Sequence, residues 1–184
     1  MVGCGYVGLE VAKLRIAQGD TVWCLSRSPR VYEGLVSVQG DVTQKERLGS
    51  MPEGLDAVVY SVSASGFTDE HYRAAYVDGV RNVLETLRAR GEANCRFLFV
   101  STTSVYGQTD GSIVNEESPT EPLIFAGRRM LEAERRVQDS ELEHVILRLG
   151  GIYGPGRERT VRSVLDGTAA VSYTHLTLPT ICSV

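Results

Sequence analysis

Lysine is almost missing from this chain: Lys13 and Lys45 are the only two in 184 residues. Chemistry that needs a cation beyond position 45 falls to arginine or is not done. Excess charge of one sign is lacking too. The 19 Lys and Arg residues face 23 Asp and Glu, a net charge of -4, which offers no basic footprint for nucleic acid. Charged residues interrupt every hydrophobic stretch before the roughly 18 residues of a membrane span, so no membrane partner is expected. Cys4, Cys24, Cys95 and Cys182 are scattered, with no CxxC pair and no neighbouring His ligands. That spacing indicates no metal site, and all four are expected as reduced thiols in a cytoplasmic protein. His71 and His144 stand too far from other ligands or nucleophiles for a metal or a Ser-His-Asp group, and are expected at surfaces or element boundaries.

What is present describes an ordinary globular domain, 42% hydrophobic and 23% charged. The chain opens on Gly3-Cys4-Gly5-Tyr6-Val7-Gly8, a complete GxGxxG. In a strand-turn-helix the first glycine makes the tight turn, the second lets backbone approach a pyrophosphate, and the third lets helix pack on strand. Leu9 to Gln18 then suits a helix, closed by Gly19. Apolar strands are expected at Thr21–Leu25, Val36–Asp41, Ala57–Val62, Arg96–Ser101 and His144–Leu149, with helices over His71–Arg90 and Ala126–Asp139. Alternation of this kind implies an α/β fold with a doubly wound parallel sheet.

Only Met1 and Val2 precede the glycine motif, so the first strand is expected to be very short or to begin upstream. From Ser172 onward the chain has no acidic, Lys or Arg residue and no helical period. Residues 1–171 are therefore read as one dinucleotide-binding domain, and 172–184 as a non-native tail, with truncation expected at both ends. Loss of a central strand would leave neighbouring backbone groups unpaired, at about 1–3 kcal/mol each if buried, and a marginal fold is expected.

About 20 residues beyond the glycine motif, where an acid normally binds a ribose 2'-hydroxyl, the chain has Ser26-Arg27. A guanidinium and small hydroxyls suit a 2'-phosphate, which favours NADP over NAD; the plain alternative is a solvated loop arginine. Gly40-Asp41-Val42-Thr43 follows the next strand. Asp41 is placed to accept from an adenine amino group while Val42 packs on the ring, or else it is an ordinary turn residue. Ser61, Val62 and Ser63, at the end of the third strand, complete a candidate cofactor set with Gly3, Gly5, Tyr6, Val7 and Gly8.

Five segments together resemble the NAD-dependent epimerase/dehydratase group of the extended and atypical short-chain dehydrogenase/reductase superfamily. They are Gly3–Gly8, Gly40–Val42, Tyr76–Leu84, Ser101-Thr102-Thr103-Ser104-Val105-Tyr106-Gly107, and Leu147–Gly156. The resemblance implies a Rossmann fold, little of whose C-terminal substrate lobe is expected here, and a small-molecule or nucleotide-sugar-like substrate. By analogy it also allows a homodimer. It places Thr102 as the catalytic hydroxyl, and calls for a Tyr-x-x-x-Lys pair in which the lysine lowers the tyrosine pKa. The helix that should carry that pair reads Phe125-Ala126-Gly127-Arg128-Arg129. Phe125 does not ionise, and Arg128 and Arg129 are explained by pairing with Glu132 on a helix surface. Gly127-Arg128-Arg129-Met130-Leu131-Glu132-Ala133-Glu134 matches an atypical branch in which the pair is degenerate. Tyr106 is expected to be structural. Glu116, Glu117, Glu132 and Glu134 are expected as solvated charges without a catalytic part. The expected function is that of an NAD(P)-binding oxidoreductase-like protein; the alternatives are a non-catalytic dinucleotide sensor or an inactive fragment.

Overall fold

The computed structural model describes residues 1–48 and 51–168, so the expected tail at 172–184 and Cys182 lie outside the described residues. Helix α1 (Tyr6–Ala17) leads into β1 (Val22–Ser26) and β2 (Leu35–Gln39), which pair in parallel with Val22 opposite Leu35. Strands β3 (Ala57–Tyr60), β4 (Arg96–Thr102) and β5 (His144–Leu149) form a second parallel set. Val2 joins the two sets through parallel bridges to Leu25 on one side and Tyr60 on the other. The spatial order is therefore β2-β1-Val2-β3-β4-β5, with the residue before the glycine motif at the centre.

Those few residues make the hydrogen bonds that were expected to be missing there. The Val2 N–H donates to Val59 O at 2.8 Å, its carbonyl accepts from Ser61 N at 2.8 Å, and Gly3 N donates to Leu25 O at 2.9 Å. Met1 O accepts from Leu25 N at 2.8 Å. Over Met1–Gly3 the two halves of the sheet are thus bonded through the centre, and backbone groups there are not left unpaired.

Helix α2 (Asp69–Tyr72) runs through a π-helical stretch, Arg73–Asp78, into α3 (Gly79–Ala89), where a single helix was expected over His71–Arg90; the helical run starts two residues earlier. Thr68 caps its start, accepting from the His71 N–H at 3.3 Å. The fully buried Tyr60 hydroxyl donates to the Ala75 carbonyl within the π stretch, whose widened turn departs from the usual i to i−4 ladder. Helix α4 (Phe125–Gln138) and a short α5 (Arg159–Leu165) complete the elements.

Period-two burial along β4 alternates Phe97, Phe99 and Ser101 inward. On one face these phenylalanines and Tyr60 meet Val80, Val83 and Leu87 of α3 and Met130, Ala133 and Val137 of α4 in a single apolar cluster. Each such fully buried side chain stabilises the fold by roughly 1.5–3 kcal/mol. Helix α1 contributes none of its residues to this cluster and buries Gly8 and Ala12 instead.

One expectation about the cysteines is corrected. Cys4, in the glycine turn, and Cys24, in β1, form a disulfide with Cα atoms 6.1 Å apart. Parallel pairing of the Val2 segment with β1 brings together two residues 20 apart in sequence, which spacing rules for cysteine motifs do not detect. Cys95 is free and buried. No helix among the described residues is long and apolar enough to cross a membrane.

Candidate functional site: a dinucleotide cleft beside a closed aromatic corner

The glycine turn is dictated by close approach. Gly3 has φ of 88°, and a Cβ there would lie 2.8 Å from Val62 N; a Cβ on Gly8 would lie 2.1 Å from Gly3 O. Neither position accepts a side chain. At Gly5 the same direction is open space. Gly5 is also the N-cap of α1, which has no side-chain cap and no acidic residue in its first turn. The helix start therefore keeps its free N–H groups and positive dipole end for an anion, and these residues fit a pyrophosphate.

Beside it lies a cleft of about 270 Å³. Gly3, Gly5, Ser26, Arg27, Asp41, Val42, Ser61, Val62 and Ser63 line it, as the sequence led us to expect. Tyr6, Val7 and Gly8 do not line it; Tyr6 faces the loop after β5, and Gly8 sits beneath the turn. Cys4, Ser28, Arg30, Thr43 and His71 were not foreseen as lining residues. The run Arg27-Ser28-Pro29-Arg30 was the available signal for two of them, a second arginine in the same loop. The volume is below the roughly 300–1,000 Å³ of whole-ligand pockets, and its lining joins the glycine turn to the ends of β1 and β2.

Several polar groups in the cleft are tied to its own backbone. Ser26 Oγ donates to Ser28 O at 2.7 Å, which shapes the loop after β1. The Arg30 backbone N–H donates to Ser37 Oγ at 3.0 Å. Neither Arg27 nor Arg30 has a carboxylate partner among the described residues. Asp41 Oδ1 accepts from the Thr43 N–H at 2.9 Å and the Thr43 hydroxyl at 2.8 Å, so it holds the turn and keeps Oδ2 outside those contacts. The buried Asn82 amide donates to Val42 O at 2.8 Å and fixes the same turn against α3. Ser61 Oγ donates to Gly3 O at 2.6 Å, tying the end of β3 to the glycine turn.

The start of α4 is arranged differently. Phe125 meets Phe67 with ring centroids 5.0 Å apart and Tyr72 edge-on at 5.5 Å. Arg129 donates to both oxygens of Asp69, Nε at 2.8 Å and NH2 at 2.7 Å, and to Glu132 at 2.9 Å. The hydrogen bonds to Asp69 and then Glu132 hold its guanidinium pKa well above the ordinary value. Pairing with Glu132 was expected; the bidentate tie to Asp69, 60 residues away, was not. Thr102 ends β4 and accepts from the Ser104 N–H at 3.3 Å as the cap of a 3-10 turn, Thr103–Val105. It is not among the residues lining the cleft.

Glu134 is a second correction. Expected as a solvated charge on α4, it is fully buried and receives Arg148 NH2 at 2.7 Å, Arg148 Nε at 3.0 Å and the Ser101 hydroxyl at 2.5 Å. Arg148 NH1 also donates to Tyr106 Oη at 2.9 Å, and Tyr106 donates onward to Asn115 O at 2.8 Å. The network joins β4, α4 and β5, and fixes the Tyr106 phenol in a structural position. Among the described residues no group of His, Cys, Asp and Glu is placed to hold a metal ion.

A central parallel sheet, a glycine turn at a helix start and a cleft at the strand ends define a dinucleotide-binding α/β protein of the Rossmann type. More particularly, the chain belongs to the NAD dependent epimerase/dehydratase family, whose model matches residues 2–173. It is 29% identical over 195 residues to Protein YeeZ of Escherichia coli (strain K12), covering 96% of this chain and 68% of that protein. A solved structure from Methylobacillus flagellatus, assigned to the NAD-dependent epimerases/dehydratases, is 37% identical with a TM-score of 0.74, covering 88% of this chain and 57% of the other. A short-chain dehydrogenase/reductase superfamily protein from Agrobacterium tumefaciens, solved with bound NAD, is 26% identical with a TM-score of 0.67, covering 80% of this chain and 47% of the other. The chain thus spans about half the length of these solved relatives.

Proposed function

We propose that this chain binds a nicotinamide dinucleotide in the cleft, with NADP favoured over NAD, and serves an NAD(P)-dependent oxidoreductase or epimerase acting on a small-molecule or nucleotide-sugar-like substrate. The observation that carries the cofactor preference is the loop after β1. Arg27 and Arg30 both line the cleft without carboxylate partners, Ser26 precedes them and Ser28 stands between them, and no acid occupies the ribose position. Two guanidinium groups with small hydroxyls complement a phosphate better than a neutral 2'-hydroxyl. Bound NADP would supply or accept a hydride. The chain's own part is to seat the pyrophosphate on the α1 start, the adenine beside Val42 and Asp41, and a substrate oxygen near Thr102, whose hydroxyl retains a proton to donate.

A second reading rests on the corner at α4. Phe125 sits in an aromatic cluster and Arg129 is ion-paired, so neither supports a Tyr-Lys proton relay, and a non-catalytic dinucleotide-binding module is the alternative. The proposal also takes residues 1–171 as the dinucleotide domain, places the protein in the cytoplasm, and includes a homodimer with no nucleic-acid or membrane partner. Fluorescence titration with NADPH, followed by transfer of label from 4-deuterated NADPH across a panel of carbonyl and nucleotide-sugar substrates, tests it. Saturable binding with transfer to any substrate supports the enzyme; binding without transfer to any favours the module; no binding removes both.

A further inference from the structure

The loop that follows β5 returns across the start of α1. The Arg157 N–H donates to Gly154 O at 2.8 Å, closing a tight antiparallel bridge. Gly154, at φ of 151°, rests on the Tyr6 phenol so closely that a Cβ would lie 2.3 Å from Tyr6 Oη. The Arg157 guanidinium lies over the Tyr6 ring, 4.7 Å from its centroid. Arg157 is exposed and has no carboxylate partner among the described residues.

Tyr6 is the first residue of α1, next to the uncapped Gly5. Contact with the ring restrains the guanidinium, and its N–H donors have no hydrogen-bond partner among the described residues. The cleft's own cations without carboxylate partners, Arg27 and Arg30, follow the end of β1, on the ribose side. Arg157 sits instead beside the start of α1, over Tyr6 and next to the residues that line the cleft rather than among them.

We propose that Arg157, held on Tyr6, is a pyrophosphate-binding residue: a cation supplied by the loop after β5 that closes over the diphosphate of the bound dinucleotide. This rests on the reading of the cleft as a dinucleotide site. The sequence motif Gly3–Gly8 then has a task for Tyr6 that the cleft lining did not show. Tyr6 is the platform on which the Gly150–Arg157 loop lands, and a glycine at 154 is what allows the landing.

The test compares three ligands on the full chain by calorimetry: NADPH, ADP-ribose, which keeps the diphosphate but lacks the 2'-phosphate, and 2'-AMP, which lacks the diphosphate. Arg157→Gln should weaken NADPH and ADP-ribose about tenfold, the loss of one charge-assisted hydrogen bond, and leave 2'-AMP within about twofold. Tyr6→Leu should give the same pattern more weakly, and Arg27→Ala the reverse, sparing ADP-ribose. Arg157 is exposed, and an unchanged thermal midpoint for Arg157→Gln confirms that its effect is on binding. If the wild-type chain binds all three and Arg157→Gln binds them equally well, the inference is overturned while the cofactor reading stands. An equal loss for 2'-AMP also overturns it. If the wild-type chain binds none, both fall.

Discussion

The two ends of one continuous surface, the cleft at β1 and the corner at α4, treat their polar groups in opposite ways. At the cleft, Gly5 faces open space and Arg27 and Arg30 carry charge without carboxylate partners among the described residues. At the corner, Arg129 is tied to Asp69 and Glu132, and Arg148 to Glu134 and Tyr106. Charges that have partners inside the protein hold the fold together, whereas charges without them are available to a ligand. The surface is therefore prepared for binding a dinucleotide at one end and stabilised by its own contacts at the other, and the difference predicts which substitutions change stability and which change affinity.

The largest effect should come from the corner. Glu134→Ala leaves the Arg148 guanidinium without its buried partner, and should lower unfolding free energy by about 3–5 kcal/mol in urea denaturation. Replacing both partners together, Glu134→Leu with Arg148→Met, should recover most of that loss. If Glu134→Ala unfolds like the wild type, the corner is not the structural end of the surface.

Next comes the disulfide at the cleft. Reducing Cys4–Cys24, which closes a separation of 20 residues, should remove about 3 kcal/mol of stability. Thiol titration of the unfolded, unreduced chain should find this pair oxidised, and two additional free thiols there would remove the disulfide from the account. The link could not be read from sequence, because Cys4 and Cys24 become neighbours only through parallel pairing of the Val2 segment with β1. The strands themselves were readable, since Val58–Tyr60, Phe97–Phe99 and Val145–Leu147 are apolar runs at positions that parallel strands occupy. The cleft was readable as far as local motifs reach, which covers the glycine turn, Ser26-Arg27 and Asp41-Val42. The burial of Glu134 and the Arg129–Asp69 tie were not. They depend on residues 14 and 60 positions apart meeting in space, and helical charge patterns alone suggest solvated faces.

A smaller effect separates the two ends by ligand rather than by stability. Arg27→Ala should weaken NADPH by about ten- to a hundredfold, the loss of charge-assisted hydrogen bonds worth roughly 1.5–3 kcal/mol, with NADH affinity and the thermal midpoint unchanged. A parallel loss for both cofactors would place Arg27 at some other part of the ligand.

The smallest concerns pH. The hydrogen bonds from Arg129 hold the Asp69 carboxyl below its ordinary value of 3.8. A carboxyl depressed in the folded state adds stability that is present above its unfolded value and is lost as pH falls through the folded one. The thermal midpoint should therefore fall below about pH 4, and Asp69→Asn should flatten that acid limb slightly. An unchanged acid limb in the variant would show that the tie contributes nothing measurable.

The central claim is that the cleft is a dinucleotide site shaped for a 2'-phosphate, and calorimetric titration of the full chain with NADPH and then NADH tests it most directly. The account predicts saturable one-to-one binding, with NADPH at least about tenfold tighter, as expected for an added charge-assisted phosphate contact. Equal or tighter binding of NADH would contradict the assignment of the loop after β1, and the absence of saturable binding by either would contradict the claim itself.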